Sequence, residues 1–242
     1  MRSKLVYDLP TRIFHVTFFS LFLVAYWIAK NLDQDSIRFP LHMLLGFALL
    51  GLLMFRLLWG IVGSRTARFS SFMWSLPALR EYLRNLLRST DRGPAGHNPA
   101  SSWMAVSVMS LTLGMVFSGL AMVQGWNAEL MEEVHEICSK AWLVLAVLHV
   151  AGVGWHMLRK RDAIALSMVD GYKVESTEGE AIPDARKLAA LGLLIWMGLV
   201  GTLLVTGYDS STRTLKLGSW SLPLAEVPED QDSSSDESVR KR

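Results

Sequence analysis

Long runs of hydrophobic residues recur along the chain, separated by shorter polar connections. Five runs approach the length that a helix needs to cross about 30 Å of hydrocarbon, which is roughly 20 residues. They cover residues 14–29, 41–62, 103–125, 136–158 and 188–207. The pattern predicts an all-α integral membrane helix bundle with five transmembrane helices.

The residues before the first run predict where its helix begins. Asp8-Leu9-Pro10-Thr11 offers a capping side chain, from Asp8 or Thr11, and a proline that is tolerated in the first turn. No small-residue cleavage site follows the apolar run. We therefore expect a retained transmembrane helix and not a signal peptide.

The connections between the runs alternate in charge. Residues 63–102 hold six arginines and the fourth connection opens with Arg159-Lys160-Arg161, whereas residues 126–133 hold three glutamates and no lysine or arginine. Basic connections stay on the cytoplasmic side, so the positive-inside rule places the N-terminus in the cytoplasm. With an odd number of spans, the C-terminus is predicted in the periplasm of a multi-pass protein of the bacterial inner membrane.

Composition narrows the class of protein. Of the 242 residues, 51% are hydrophobic, and the net charge is only +2. Without a basic, aromatic-interleaved patch, this excludes nucleic acid as a partner and leaves membrane lipid as the surroundings. Cys138 is the single cysteine, so there is no internal disulfide and no C-x-x-C-H motif for covalent haem attachment.

Two further segments are polar. Residues 77–88 (PALREYLRNLLR) place apolar residues near helical spacing among arginines. This predicts either a short amphipathic helix on the inner membrane surface or an ordinary solvated loop helix. Residues 226–242 are acidic and serine-rich, which predicts a disordered tail.

Three histidines mark the fourth run, which reads HEICSKAWLVLAVLHVAGVGWH from His135 to His156. The 14-residue step from His135 to His149 is about four helical turns, so the two imidazoles share a face about 21 Å apart. In the predicted topology, depth pairs His42 with His135 near the outer face. It likewise pairs His15 with His149 toward the inner face.

Depth alone also permits His156 as the partner of His15. We favour His149, because it lies deeper among apolar residues, where an unligated imidazole is costly. His97, in a cytoplasmic Gly-His-Asn-Pro segment, is interpreted as a surface or turn residue.

Each histidine pair predicts a site for one b-type haem. Two neutral imidazoles fill the axial positions, and the macrocycle supplies the other four ligands. Zinc would need three or four protein ligands, usually including cysteine or carboxylate. Gly46, one turn after His42, and Gly152, three residues after His149, would let a haem plane or another helix approach closely.

Three cations are candidates for pairing with haem propionates. Arg56 follows His42 by 14 residues, which predicts a similar face at the depth of the inner haem. It either pairs with a propionate or extends toward the inner interface. Lys140, near the outer haem, and Arg12, near the inner haem, are the other two.

Six segments together carry a family pattern: YDLPTRIFH (7–15), HMLLG (42–46), RLLWGIVGSRTARFSSF (56–72), GHNPA (96–100), HVAGVGWH (149–156) and SMVDGYK (167–173). They resemble the bacterial cytochrome b561 and nickel–iron hydrogenase b-type cytochrome family over roughly residues 5–175. The resemblance implies a four-helix core with two b haems. It implies that the ligands are His15, His42, His135 and His149, and so favours His149 over His156.

The sequence thus predicts a dihaem domain at residues 1–175, a linker and fifth transmembrane helix at 176–208, and a polar tail at 209–242. Because both axial positions of each iron are filled, electron relay is favoured over oxygen chemistry, and no catalytic residue is predicted. The relay would connect a dehydrogenase, hydrogenase or cytochrome c with quinone or another carrier. The alternatives are a quinone-coupled oxidoreductase acting on a small diffusible substrate at the outer haem, and a haem-free membrane scaffold subunit.

Overall fold

The computed structural model describes residues 4–33, 36, 38–86, 99–160, 164–173 and 181–224. The helices within these ranges are α1 (Leu9–Asn31), α2 (Pro40–Val62), α3 (Leu76–Leu86), α4 (Pro99–Val123), α5 (Ala128–Lys160), α6 (Ser167–Asp170) and α7 (Lys187–Gly207). The strands are β1 (Lys4–Leu5), β2 (Tyr172–Lys173), β3 (Tyr208–Asp209), β4 (Thr214–Leu217) and β5 (Trp220–Pro223).

Five of the helices are long and apolar enough to cross a membrane: α1, α2, α4, α5 and α7. Each overlaps one predicted run, so the predicted all-α bundle with five transmembrane helices is confirmed. Their outward faces carry large apolar side chains. Leu58, Val147 and Leu188 are 59%, 61% and 86% exposed. Faces of this kind suit lipid and not water.

The first helix begins as its sequence predicts. The Asp8 carboxylate accepts a hydrogen bond from the Thr11 backbone N–H at 2.8 Å, and Pro10 lies in the first turn. The other carboxylate oxygen accepts from the Trp59 indole N–H at 3.1 Å. Asp8 therefore caps α1 and ties it to the last turn of α2.

The bundle is built from two helix pairs. α1 packs along α2, α4 packs along α5, and α2 also contacts α4. α5 meets α1 through large side chains, since the Trp142 ring stacks on Phe22 at 3.6 Å between centroids. α7 lies outside this four-helix core against α1 and α2. Trp196 on α7 donates its indole N–H to the Gly51 carbonyl at 2.8 Å.

Short strands and loops close the end of the bundle where α1 begins, which we call the proximal end. β1 pairs antiparallel with β2, and the Thr66 hydroxyl donates to the Val6 carbonyl at 2.6 Å. These bonds join the N-terminal segment to the connection after α2 and to the segment after α5. They fix the loops around the first turn of α1.

A three-stranded antiparallel sheet, β3–β4–β5, lies at the opposite or distal end, directly after α7. The sequence does not predict this sheet, since it predicts a polar tail from residue 209 onward. Leu215 is fully buried, and its cluster packs against Met43 and Phe47 of α2. Hydrogen bonds from Ser211 and the Lys216 ammonium hold the pKa of Asp209 below its ordinary value. The predicted disordered tail, residues 226–242, lies outside the described residues.

The arginine-rich connection between α2 and α4 contains a helix where one was predicted. α3 covers residues 76–86 and packs against α4. Residues 87–98, which include His97, lie outside the described part of the chain.

Candidate functional site

Helix α5 carries three evenly spaced side chains on one face. His135, Trp142 and His149 follow each other at seven-residue steps within one continuous helix. Seven residues are close to two turns, so the three side chains form a row along the helix axis. This row faces α1 and α2.

At the distal end, His135 lies against His42 of α2. The ring centroids are 5.9 Å apart, with an angle of 62° between the planes. His42 Nδ1 lies 2.9 Å from the Ala25 carbonyl, and His135 Nδ1 lies 2.9 Å from the Met115 carbonyl. A carbonyl only accepts, so each Nδ1 carries the proton and each Nε2 keeps a lone pair for a ligand bond.

At the proximal end, His149 lies against His15 of α1. The ring centroids are 6.1 Å apart, with 58° between the planes. Both residues are exposed where α1 and α5 face each other. The structure therefore brings His15 together with His149 and His42 together with His135, which are the two pairs that depth predicts.

The spacing of the two pairs suits a metal ion between the rings. With metal–nitrogen distances of about 2 Å, two imidazoles on opposite sides of one metal have ring centroids about 6 Å apart. Among the described residues, no group of three or more histidine, cysteine, aspartate or glutamate side chains could hold a metal ion. Two imidazoles at each level fit a metal whose remaining ligands come from a macrocycle, as in b-type haem.

Two glycines leave room on the helices that carry the histidines. A methyl group added at Gly46 of α2, or at Gly152 of α5, meets no protein atom within 4 Å. Gly60 of α2 is different, because its added methyl group would come within 2.2 Å of the Phe69 ring. Gly46 and Gly152 thus lie beside open space, whereas Gly60 is required by packing within the protein.

Trp142 separates the two histidine pairs, and sequence reasoning missed it. It is 2% exposed, its indole N–H donates to the Thr112 hydroxyl at 3.2 Å, and its ring also lies near Phe18 and Phe19. Its position seven residues from each histidine was the available signal. The ring fills the core between the two levels of the site.

Arg56 lies at the predicted depth, and protein groups surround it. Its guanidinium donates to the Ala67 carbonyl at 3.0 Å and lies 5.1 Å and 6.0 Å from the ring centroids of Phe69 and Phe14. The side chain is buried, and the carboxylate of Asp8 supplies a nearby opposite charge. The predicted propionate contact is thus one of several interactions open to Arg56.

The other two predicted cations also have protein partners. Lys140 pairs with Glu136 at 2.8 Å, and Lys30 lies 3.9 Å from the same carboxylate. Arg12 donates to the Val169 carbonyl and so connects α1 to the segment after α5.

Comparison with known proteins gives one result. A family model described as prokaryotic cytochrome b561 matches residues 6–171, which is well over half of the chain. The match covers all four histidines of the two pairs and ends before α7. No curated protein and no solved structure matches the chain.

Proposed function

This chain belongs to the prokaryotic cytochrome b561 family, and we propose that it holds two b haems and relays electrons from one membrane surface to the other. The family and the five apolar helices identify an integral membrane b-type cytochrome of electron transfer. Our proposal adds the number of haems, their ligands and a path for electrons across the bilayer.

The observation that carries the proposal is the spacing of the histidine pairs. The ring centroids are about 6 Å apart in both pairs, His42 with His135 and His15 with His149. In each pair, this distance suits the ligation of one iron by two imidazoles. When bound, haem supplies reversible one-electron chemistry at its iron. The two histidine pairs would each hold one iron, at two levels of the bundle, and would leave no coordination position open for oxygen.

The protein groups around the distal pair orient its ligands. The carbonyls of Ala25 and Met115 hold the Nδ1–H groups of His42 and His135, which leaves Nε2 for the metal and raises its basicity. Ser118 Oγ, 3.2 Å from His135 Nδ1, adds a second polar contact. At the proximal pair, the nearby Arg56 would stabilise a propionate.

Haem content tests this proposal directly. Purified protein with a full complement of cofactor should give two b haems per chain in a pyridine-haemochrome assay. Its electron paramagnetic resonance spectrum should contain low-spin signals from bis-histidine ligation. A consistent value of one haem per chain would contradict the pairing at one level, and protein that binds none would contradict the function.

We further propose the inner membrane as the location, with the N-terminus cytoplasmic and the C-terminus periplasmic. The arginine-rich segments at the proximal end and the glutamates at the start of α5 support this orientation. The proposed partners are a dehydrogenase, hydrogenase or cytochrome c on one side, and quinone or another carrier on the other. Oxidation of the dithionite-reduced protein by a water-soluble quinone, compared with oxidation by a cytochrome c, would identify the acceptor class.

A further inference from the structure

Helix α3 has four different environments around its circumference. At 100° per residue, Ala78, Leu79 and Tyr82 occupy one sector. These side chains are half-buried, on the helix that packs against α4. Leu76 and Leu83 lie within about 20° of each other in the next sector, and they are 60% and 51% exposed.

The basic residues of α3 border this exposed apolar strip. Arg80 and Arg84 lie about 40° and 80° beyond Leu76 around the helix, and both are exposed. Glu81 lies further round, on the side away from the leucines. Around the circumference the helix thus passes from protein contact to an apolar strip, then to arginines, and then to an acidic residue.

The segment before α3 fixes the helix to the proximal end of the bundle. The Met73 backbone N–H donates at 3.0 Å to the hydroxyl of Ser102, which is 1% exposed in the first turn of α4. The Trp74 ring lies 6.1 Å from that of Trp103 and is itself 51% exposed. Tryptophan prefers the level of the lipid headgroups, so this pair places α3 beside the membrane surface.

We propose that α3 lies in the membrane surface at the proximal end and binds anionic phospholipids. Leu76 and Leu83 enter the boundary of the acyl chains, and Arg80 and Arg84 bind the headgroup phosphates. Charge complementarity selects this occupant: two exposed arginines border the apolar strip, whereas Glu81 is turned away from it. The proposal does not depend on haem binding.

Lipid-specific fluorescence quenching tests the proposal. In a Cys138→Ala background, Leu83→Cys carries an environment-sensitive fluorophore, and the protein is placed in phosphatidylcholine nanodiscs. Doxyl-labelled phosphatidylglycerol or doxyl-labelled phosphatidylcholine is then added. We expect both lipids to quench the label at residue 83, with phosphatidylglycerol quenching more. The matched label at Glu81→Cys should be quenched by neither.

The arginines are tested by Arg80→Gln and Arg84→Gln in the same background. Each substitution should lower the preference for phosphatidylglycerol by about fivefold, while the helical circular-dichroism spectrum is unchanged. Absence of quenching at residue 83 would overturn the proposal, because α3 would then be a solvated helix or covered by protein. Equal quenching at residues 81 and 83 would also overturn it, because the leucine strip would then not be the face that meets lipid. Equal quenching by the two lipids, or a preference that survives both substitutions, would overturn the role of the arginines.

Discussion

At the residue scale, the three histidines of α5 are predicted to differ in their effects on haem content. His135→Ala should remove only the haem at the distal end of the bundle, and His149→Ala only the haem at the proximal end. Each substitution removes one of the two axial ligands of that haem. His156→Ala is the matched control on the same helix and should keep both haems. The measurements are the haem-to-protein ratio and the optical spectrum of the reduced protein. Loss of the proximal haem in His156→Ala, with retention in His149→Ala, would show that the pairing is wrong.

Trp142 gives a second prediction at this scale, about stability. Trp142→Ala removes a buried ring stacked on Phe22 and should lower the free energy of unfolding by about 3–5 kcal/mol. Trp142→Phe keeps an aromatic ring and loses the hydrogen bond to Thr112, which costs about 1 kcal/mol, in addition to a smaller packing loss. Unfolding of both variants in mixed micelles checks the order. Equal stability of the two variants would contradict the stacking argument.

Single residues also show how far the sequence could predict the site. The pairing of the histidines could be predicted from helical spacing and from depth. The rise of 1.5 Å per residue sets the spacing along a helix, and the alternating direction of the spans sets the depth of each histidine. The neighbours of Arg56 could not be predicted in this way. Ala67 and Phe69 lie in an irregular connection, and no periodicity indicates where such a segment folds back.

At the element scale, the open sides of α2 and α5 provide a test that separates cofactor binding from folding. Gly46→Ala and Gly152→Ala add a methyl group that meets no protein atom within 4 Å, so the fold should be retained. If haem fills that space, haem content should fall in both variants at unchanged helix content. Gly192→Ala on α7 is the matched control, since its methyl group also meets no protein atom within 4 Å.

The glycine test has a second control for packing. Gly60→Ala should lower the stability of the protein whether or not haem is bound, because the added methyl group clashes with the Phe69 ring. Full haem content in both Gly46→Ala and Gly152→Ala would contradict the close approach of a haem plane at these positions.

Helices could be predicted from the sequence where a long apolar run determines them. Each predicted span overlaps a helix, and α5 starts at Ala128, earlier than predicted, because polar residues such as Glu129 and Glu132 extend it beyond the apolar run. The distal sheet was missed for the opposite reason. Its strands have two to four residues, and Leu215 is buried only because α2 and α7 provide the surface against which it packs.

At the scale of the whole molecule, the two ends of the bundle differ in charge and in construction. The proximal end carries Arg56, the arginines of α3 and the bonds that join the N-terminal segment to its neighbours. The distal end carries the glutamates near the start of α5 and the sheet that follows α7. α7 and this sheet lie beyond the part of the chain that matches the family. A redox partner therefore meets different surfaces at the two ends.

This asymmetry gives a prediction for orientation that requires only thiol labelling. In a Cys138→Ala background, Ser210→Cys places an exposed thiol beside the distal sheet, and Ser70→Cys places one at the proximal end. In spheroplasts, a membrane-impermeant maleimide should label residue 210 at once and residue 70 only after permeabilisation, because five spans put these positions on opposite sides. Labelling at residue 70 alone would reverse the orientation and with it the proposed sides of the redox partners. Labelling of both positions in intact spheroplasts would mean that one apolar helix does not cross the bilayer, and that the two histidine pairs do not form a path from one surface to the other.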